Sequence, residues 1–140
     1  MEKKTTISIQ VVIKAPVKKV WKFYTEPEHI KQWNQASGDW HTPKVENNLK
    51  PRGKFTFRME ARDGSFGFDF SGTYDEVKIN QLIAYTMDDN RKVKVTFTDT
   101  ITETKVTILF DAEKTNSIEM QREGWQTILN NFKKYTESTK

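Results

Sequence analysis

The sequence predicts an α+β fold in which helices cover one face of an antiparallel β-sheet of about six or seven strands. Two patterns of hydrophobic residues support this prediction. Through the middle of the chain, apolar and polar side chains alternate with the two-residue period of strands that are buried on one face. Near both ends, apolar residues recur about every 3.6 positions, which is typical of helices. We therefore expect two short helices after a first strand and one long helix at the end.

A strand and two short helices are predicted at the start of the chain. Residues 6–14 alternate, and four apolar residues share one face: Ile7, Ile9, Val11 and Ile13. Pro16 suits the first position of a helix, where its missing N–H is not needed. The apolar residues that follow have helical spacing: Val17, Val20, Trp21 and Tyr24. Pro27 ends this helix and opens a second one, in which Ile30 and Trp33 face inward.

The middle of the chain is predicted to form consecutive strands. Residues 34–52 are expected to be mostly loop, with a short strand near residues 44–46. Asp63-Gly64 indicates a hairpin turn. One face of the strand before it carries Phe55, Phe57, Met59 and Ala61, and one face of the strand after it carries Phe66, Phe68, Phe70, Gly72 and Tyr74. Gly72 suggests a bulge or a sharp bend. Three more strands are predicted near residues 82–87, 93–97 and 106–110.

A single long helix is predicted at the end of the chain. Asn116 and Glu119 are expected to cap its start, and it should run to about Tyr135. Its buried stripe is Trp125, Ile128, Leu129 and Phe132. Gly124 lies beside this stripe, where Ala would favour the helix by about 1 kcal/mol. Two explanations stay open for Gly124: a close approach of the helix to the sheet, or a local kink.

Length and composition favour one domain over residues 1–140. The chain has no Cys, which excludes disulfides, thiolate catalysis and zinc sites built on Cys. No stretch approaches the roughly 20 apolar residues that span a membrane, so we expect a soluble, cytoplasmic protein. The net charge of +4 comes from lysines that are scattered among acidic residues, and nucleic-acid binding is therefore not expected.

The order of these motifs resembles the family related to the activator of the Hsp90 ATPase (AHSA1), within the START/Bet v 1-like superfamily. The matching segments are Ala15-Pro16 with Val20-Trp21, Thr25-x-Pro27-x-x-Ile30-x-x-Trp33, Gly53-x-Phe55, Gly72-x-Tyr74-x-Glu76, Thr104-x-Val106 and Gly124-Trp125. The resemblance implies the helix-grip fold, in which a curved sheet wraps around the C-terminal helix and often leaves a pocket. The chain departs from the family pattern at Asn34-Gln35, Arg52 and Asn80, in loops near the pocket mouth, which leaves the ligand undetermined.

A pocket also follows from the widths of the predicted elements. A helix covers a band about 10 Å wide, whereas six or seven strands at about 4.8 Å spacing form a much broader sheet. Aromatic side chains must fill the gap, or a small apolar ligand, lipid-like or aromatic, must occupy it. The expected plug is Trp33, Trp40, Phe66, Phe68 and Phe70. The predicted ligand-binding residues are Trp33, Phe57, Met59, Phe68, Phe70, Tyr74, Glu76, Tyr85, Val95, Trp125, Leu129 and Phe132.

Residues suited to catalysis are few, and the sequence favours a binding protein over an enzyme. His29 and His41 are isolated and lack metal-ligand spacing, so no metal and no other cofactor is predicted. Glu76 has the parity of Phe70 and Tyr74, so it either points inward, where a carboxylate would be placed to act as a base, or is an exposed residue at a strand end. Three functions stay open: a carrier of a small apolar molecule, a module that binds a chaperone, and a cyclase- or hydrolase-like enzyme using Glu76 or a Tyr. The protein is expected to be a monomer or a homodimer.

Overall fold

The computed structural model describes residues 5–35 and 37–139. Residues 1–4, 36 and 140 of the predicted domain lie outside this part of the chain. Within the described residues the elements are β1 (Thr6–Ile13), α1 (Val17–Thr25), α2 (Pro27–Trp33), β2 (Trp40–Asn47), β3 (Lys54–Ala61), β4 (Gly67–Lys78), β5 (Leu82–Met87), β6 (Lys92–Asp99), β7 (Thr104–Asp111) and α3 (Ile118–Ser138).

The strands form one antiparallel sheet in the order β1-β7-β6-β5-β4-β3-β2. Strands that follow one another in the chain are neighbours from β2 to β7, whereas β1 lies beside β7 at the far edge. The sheet curls into a half-barrel around α3, and the two short helices follow the first strand. The predicted α+β helix-grip fold is therefore confirmed.

The tightest packing lies where β1, β6 and β7 meet the helices. The residues that are almost fully buried there are Ile7, Ile13, Val20, Val95, Val106, Phe110 and Phe132. Two hydrogen bonds fix the helical segment on this side. The Thr104 hydroxyl donates to the Ala15 carbonyl at 2.8 Å, and the Trp33 indole N–H donates to the Phe23 carbonyl at 2.9 Å. Both bonds are buried, so they hold α1 in place against β7 and α2 in place against α1.

Strand β2 is longer than the short strand predicted near residues 44–46. It runs from Trp40 to Asn47, and its pairing with β3 shifts register between His41 and Lys44. Pro43 lies inside this irregular stretch. A proline is tolerated there because β2 is an edge strand, so that an N–H on its outer side would have no neighbouring strand to donate to. The shift interrupts the two-residue alternation and thus hid most of the strand from the sequence analysis.

Helix α3 begins one residue later than predicted and extends further. The Ser117 hydroxyl accepts a hydrogen bond from the Met120 backbone N–H at 3.1 Å, so Ser117 caps the helix in place of Asn116. The helix ends at Ser138, beyond the predicted end at Tyr135. Across the described residues, no helix is both long enough and apolar enough to cross a membrane.

Candidate ligand-binding cavity

Helix α3 covers the sheet unevenly. In the described chain its backbone packs closely against β1, but not against β3, β4 or β5. The gap on that side forms a cavity of about 370 Å³. Its walls come from the inner face of the sheet, one face of α3, and the ends of α1 and α2. Side chains alone therefore do not fill the space between the broad sheet and α3.

Eleven of the twelve residues predicted to bind a ligand line this cavity. They are Trp33, Phe57, Met59, Phe68, Phe70, Tyr74, Tyr85, Val95, Trp125, Leu129 and Phe132. They come together because strand parity turns one side of each strand toward α3. The structure shows their position on the wall, and their contact with a ligand stays a prediction.

Glu76 is the exception: of its two predicted orientations the structure shows the exposed one, and its predicted place among the ligand-binding residues is wrong. The pairing of β4 with β5 shifts register between Tyr74 and Glu76, which inserts one extra residue into β4. Such a bulge inverts the parity of the residues that follow it. Val77 is consequently half-buried, whereas the Glu76 side chain is 49% exposed and its carboxylate lies 3.3 Å from the Lys78 ammonium. Glu76 is therefore not placed to act as a base in the cavity.

The predicted aromatic plug is only partly present. Phe70 and Trp33 line the wall, and the Phe70 ring lies 6.2 Å from the Trp125 ring between centroids. Phe68 also lines the wall but is 42% exposed, which places it at the mouth. Trp40 and Phe66 do not contribute to the wall. Their rings pack edge-to-face at 6.0 Å, and Phe66 is 61% exposed.

Gly124 leaves open space on the helix face that borders the cavity. The cavity-facing residues of α3 have helical spacing and include Gly124: Met120, Gln121, Gly124, Trp125, Ile128, Leu129 and Phe132. A Cβ placed on Gly124 meets no atom within 4 Å. The proposed close approach of the helix to the sheet at this position is therefore wrong. The missing side chain instead keeps the cavity wide between α3 and the sheet.

Gly72 has the opposite environment. A Cβ there would lie 2.6 Å from the Thr86 carbonyl oxygen and 3.0 Å from the Phe55 ring. The Phe55 ring can lie on the backbone of β4 only because Gly72 has no side chain. From there it packs against Tyr74 at 5.2 Å and Tyr85 at 4.9 Å between ring centroids. Gly72 thus serves the aromatic floor of the cavity, and the bulge predicted at Gly72 lies further along β4.

The polar part of the wall was not predicted from the sequence. Its residues beyond the predicted ones are Tyr24, Thr25, Asn34, Asn47, Arg91, Glu113, Asn116 and Gln121. Tyr24 belongs to the predicted apolar stripe of α1, and that stripe was a usable signal. Most of the others lie at the ends of elements or in loops, where no periodicity indicates the direction of a side chain.

Three tyrosines bring hydroxyl groups into the cavity. Burial raises the pKa of Tyr24, Tyr74 and Tyr85, so all three phenols are neutral near pH 7. The Tyr74 hydroxyl donates to the side-chain oxygen of Asn47, and the Asn47 amide N–H donates to the Thr25 carbonyl at 2.8 Å. The Asn47 side chain is thereby fixed with its oxygen toward Tyr74.

The loop between β7 and α3 borders the cavity and is held by Gln121. This side chain is 7% exposed. Its oxygen accepts from the Glu113 backbone N–H at 2.8 Å, and its amide N–H donates to the Asn116 carbonyl at 2.8 Å. The loop is therefore tied to the first turn of the helix beside the cavity.

A second polar cluster lies at the start of α2, away from the cavity. Ligand atoms of Glu26, Glu28 and His29 lie within 4.8 Å of one another. His29 already has partners: its Nδ1 lies 2.6 Å from the Tyr135 hydroxyl, and its ring stacks on Phe23 at 4.0 Å. These contacts account for the cluster as a link between α2 and α3.

Comparison with other proteins agrees with this architecture. The chain matches the family described as "Activator of Hsp90 ATPase homolog 1-like protein" over residues 14–137. The solution structure of the AHSA1-like protein from Aeromonas hydrophila is 41% identical, with 96% of this chain and 93% of that chain covered and a TM-score of 0.91. A protein from Cytophaga hutchinsonii is 52% identical, with 94% and 92% covered and a TM-score of 0.83.

A more distant structure, from Chromobacterium violaceum, is 21% identical with a TM-score of 0.86 over 96% of this chain and 99% of that chain, and it shows the fold alone. No curated protein matches the chain. The family match spans most of the chain, and both closer relatives share its fold from end to end. This protein therefore belongs to the family of activator of Hsp90 ATPase homolog 1-like proteins.

Proposed function

We propose that this protein binds a small apolar molecule in the cavity between its sheet and α3. The observation that carries the proposal is a cavity of about 370 Å³ whose walls are mostly aromatic and aliphatic. Sites for small molecules have this character and start at about 300 Å³. The fold of this family also commonly binds ligands in such a cavity.

The exposed wall of the cavity supports the same function. Because the cavity opens at its mouth, its mostly apolar wall faces solvent when no ligand is bound. A ligand that fills the cavity would stabilise the folded protein by removing that apolar surface from water, at about 25 cal/mol per Å². Gly124 also supports this function. Glycine is less favourable than Ala in a helix, but its missing side chain keeps the cavity wide.

Fluorescence titration with N-phenylnaphthylamine, a neutral apolar probe, tests the proposal. We expect saturable binding with a one-to-one ratio, and a rise in Tm at saturating probe because only the folded protein binds it. The decisive variant is Gly124→Leu, which adds an apolar side chain to the cavity without removing any wall residue. It should fold at least as stably as the wild type and lose most of the binding.

The matched control is Arg122→Leu, the same new side chain on an exposed position of the same helix. It should bind the probe like the wild type. A wild-type protein without saturable binding would contradict the proposal. So would a Gly124→Leu variant that folds and still binds with unchanged affinity.

The family description supports a second candidate, a contact with the chaperone Hsp90. The exposed aromatic cluster of Trp40, Phe66 and Phe68 is a surface suited to such a contact, with Phe66 61% exposed. The Hsp90 ATPase rate measured with and without this protein tests it. Stimulation that is lost in Phe66→Ser would support the candidate, and an unchanged rate would rule it out.

A further inference from the structure

Two of the three phenols on the cavity wall lack a hydrogen-bond partner within residues 5–35 and 37–139. The Tyr74 hydroxyl donates to Asn47, whereas neither Tyr24 nor Tyr85 makes a hydrogen bond through its hydroxyl in this part of the chain. Neither hydroxyl oxygen is sealed in the interior, because the only buried side-chain polar atom without a partner among the described residues is the Thr136 hydroxyl oxygen. The Tyr24 and Tyr85 hydroxyls are therefore open to the cavity, where a ligand can supply their partner.

The rings of Tyr24 and Tyr85 are held firmly by other aromatic rings. Tyr24 packs against Trp33 at 5.1 Å and against Phe132 at 5.1 Å between centroids. Tyr85 packs edge-to-face on Phe55 at 4.9 Å. Because Tyr24 belongs to α1 and Tyr85 to the sheet, the two hydroxyls approach the cavity from different walls. Neither ring can swing out to bulk water without breaking these contacts.

The phenols of Tyr24 and Tyr85 are both neutral near pH 7. Burial raises the pKa of each, so removing a proton from either is disfavoured. Both hydroxyls are therefore available as neutral donors on the wall of the cavity. Two neutral donors on an otherwise mostly apolar wall suit a ligand that carries a neutral acceptor group.

The charged residues of the wall do not form a prepared site for an anion. The Arg91 guanidinium donates through Nε to the Asp89 carboxylate at 2.8 Å. The Glu113 carboxylate also borders the cavity and accepts from the Asn116 backbone N–H at 2.7 Å. A carboxylate ligand would lose its hydration and would face this negative group, whereas a neutral acceptor would not pay for desolvating a charge.

We propose that the ligand carries a neutral carbonyl group, as in a ketone, ester or amide, whose oxygen accepts hydrogen bonds from Tyr24 and Tyr85. The proposal rests on the proposed function, since it names the ligand class of the same cavity. The rest of the ligand is a compact apolar body. At the interior packing density of about 0.74, the cavity of about 370 Å³ accommodates about 270 Å³ of ligand atoms.

Two isosteric ligands test the proposal. Acetylnaphthalene has a carbonyl group where isopropenylnaphthalene, substituted at the same ring position, has a methylene group. Each is titrated against protein that carries N-phenylnaphthylamine, and its Kd is obtained from displacement. We expect wild-type protein to bind the ketone about tenfold more tightly, because a net hydrogen bond contributes roughly threefold to tenfold in affinity.

Tyrosine variants show which hydroxyl groups are responsible for the preference for the ketone. Tyr24→Phe and Tyr85→Phe each remove one hydroxyl and keep the ring, so each should lower the preference for the ketone about threefold, and the double variant should abolish it. Tyr135→Phe is the matched control, because the Tyr135 hydroxyl contacts His29 and Tyr135 does not line the cavity. The infrared carbonyl stretch of the ketone bound to wild-type protein should shift to lower frequency relative to hexane, which tests the hydrogen bond without any variant.

The outcomes separate the two proposals. Equal affinity for the two naphthalenes, with an unshifted carbonyl stretch, would overturn carbonyl recognition and leave apolar binding intact. Tighter binding of naphthoate than of the ketone would overturn the neutral acceptor and indicate Arg91 instead. Failure of the probe and of both naphthalenes to bind would overturn the proposed function and this inference together.

Discussion

The two halves of the sheet have the same alternating sequence pattern but differ in how tightly their inner side chains are packed. The packed half consists of β1 and β7 with α1 and the side of α3 that contacts them. The cavity half consists of β3, β4 and β5 facing α3 from residue 121 to residue 128. In the packed half Ile7, Ile13 and Val106 are fully buried, whereas in the cavity half Phe57 and Phe70 are half-buried and Phe68 is 42% exposed. The position of a residue in the alternation determines which face of the sheet its side chain occupies. Whether that side chain is buried depends on whether a helix packs against it.

The cavity half is stabilised by contacts among its own aromatic rings. Phe55 lies at the centre, with ring centroids of Phe57, Tyr74 and Tyr85 between 4.9 and 5.2 Å away. Such pairs contribute about 0.5–1.5 kcal/mol each beyond their buried area. They hold the wall in place without a helix packed on it, which keeps the cavity from collapsing.

The largest expected contrast is between one phenylalanine from each half. Phe110→Ala should lower the free energy of unfolding by about 3–5 kcal/mol, because the Phe110 ring on β7 is almost fully buried and stacks on Trp125 at 4.0 Å between centroids. Phe70→Ala should cost about 1–2 kcal/mol, because part of the Phe70 ring already faces open space. Equilibrium unfolding in urea, followed by tryptophan fluorescence, measures both losses. Equal losses would mean that the cavity half is as tightly packed as the other.

Two glycines give a contrast of opposite sign within the cavity region. Gly72→Ala should destabilise the protein by about 1–3 kcal/mol, because the new Cβ would lie 2.6 Å from the Thr86 carbonyl oxygen. Gly124→Ala should stabilise it by about 0.5–1 kcal/mol, because its Cβ meets no atom within 4 Å and the helix gains from Ala. The same urea titration measures both. A destabilised Gly124→Ala variant would show that the helix is closed onto the sheet at that position.

A third contrast, between two tyrosines, is expected in the loss of stability at alkaline pH. Burial raises the pKa of Tyr85 in the folded protein above its ordinary value of 10.0. A raised pKa means that its contribution to stability is complete below pH 10 and is lost as the pH rises toward the folded pKa. The free energy of unfolding should therefore fall above pH 10, by about 1.4 kcal/mol per pH unit for this residue.

Tyr85→Phe tests the origin of that slope, since it should make the fall shallower when unfolding is measured between pH 9 and pH 11. Tyr135→Phe serves for comparison, because Tyr135 is only half-buried where α3 contacts Phe23 and His29, and removing its hydroxyl should change the slope less. An alkaline slope that is identical in wild type and Tyr85→Phe would show that the Tyr85 hydroxyl reaches bulk water.

The sequence was sufficient for the fold and for the apolar wall, for a physical reason. Where a strand such as β3 or β6 is regular, the two-residue period fixes the side of every residue, and Phe57, Met59 and Val95 accordingly line the cavity. The helical period does the same for Trp125 and Phe132 on α3. These positions depend on local geometry that the residues themselves encode.

The remaining positions depend on breaks in that geometry. The bulge after Tyr74 turned Glu76 outward, and the register shift around Pro43 concealed most of β2. Phe66 has the parity of Phe70 but lies in the turn before β4 begins at Gly67, and it is exposed. The polar wall residues come largely from loops and element ends, whose paths are set by tertiary contacts such as those of Gln121.

The central claim is that open, apolar space separates α3 from the cavity half of the sheet. Diffraction from a crystal pressurised with xenon tests it directly, because xenon enters apolar cavities that already exist and avoids filled interiors. We predict xenon density between Trp125 on α3 and the Phe55 ring on the sheet. A well-ordered crystal in which side chains fill that space and no xenon enters it would contradict the account.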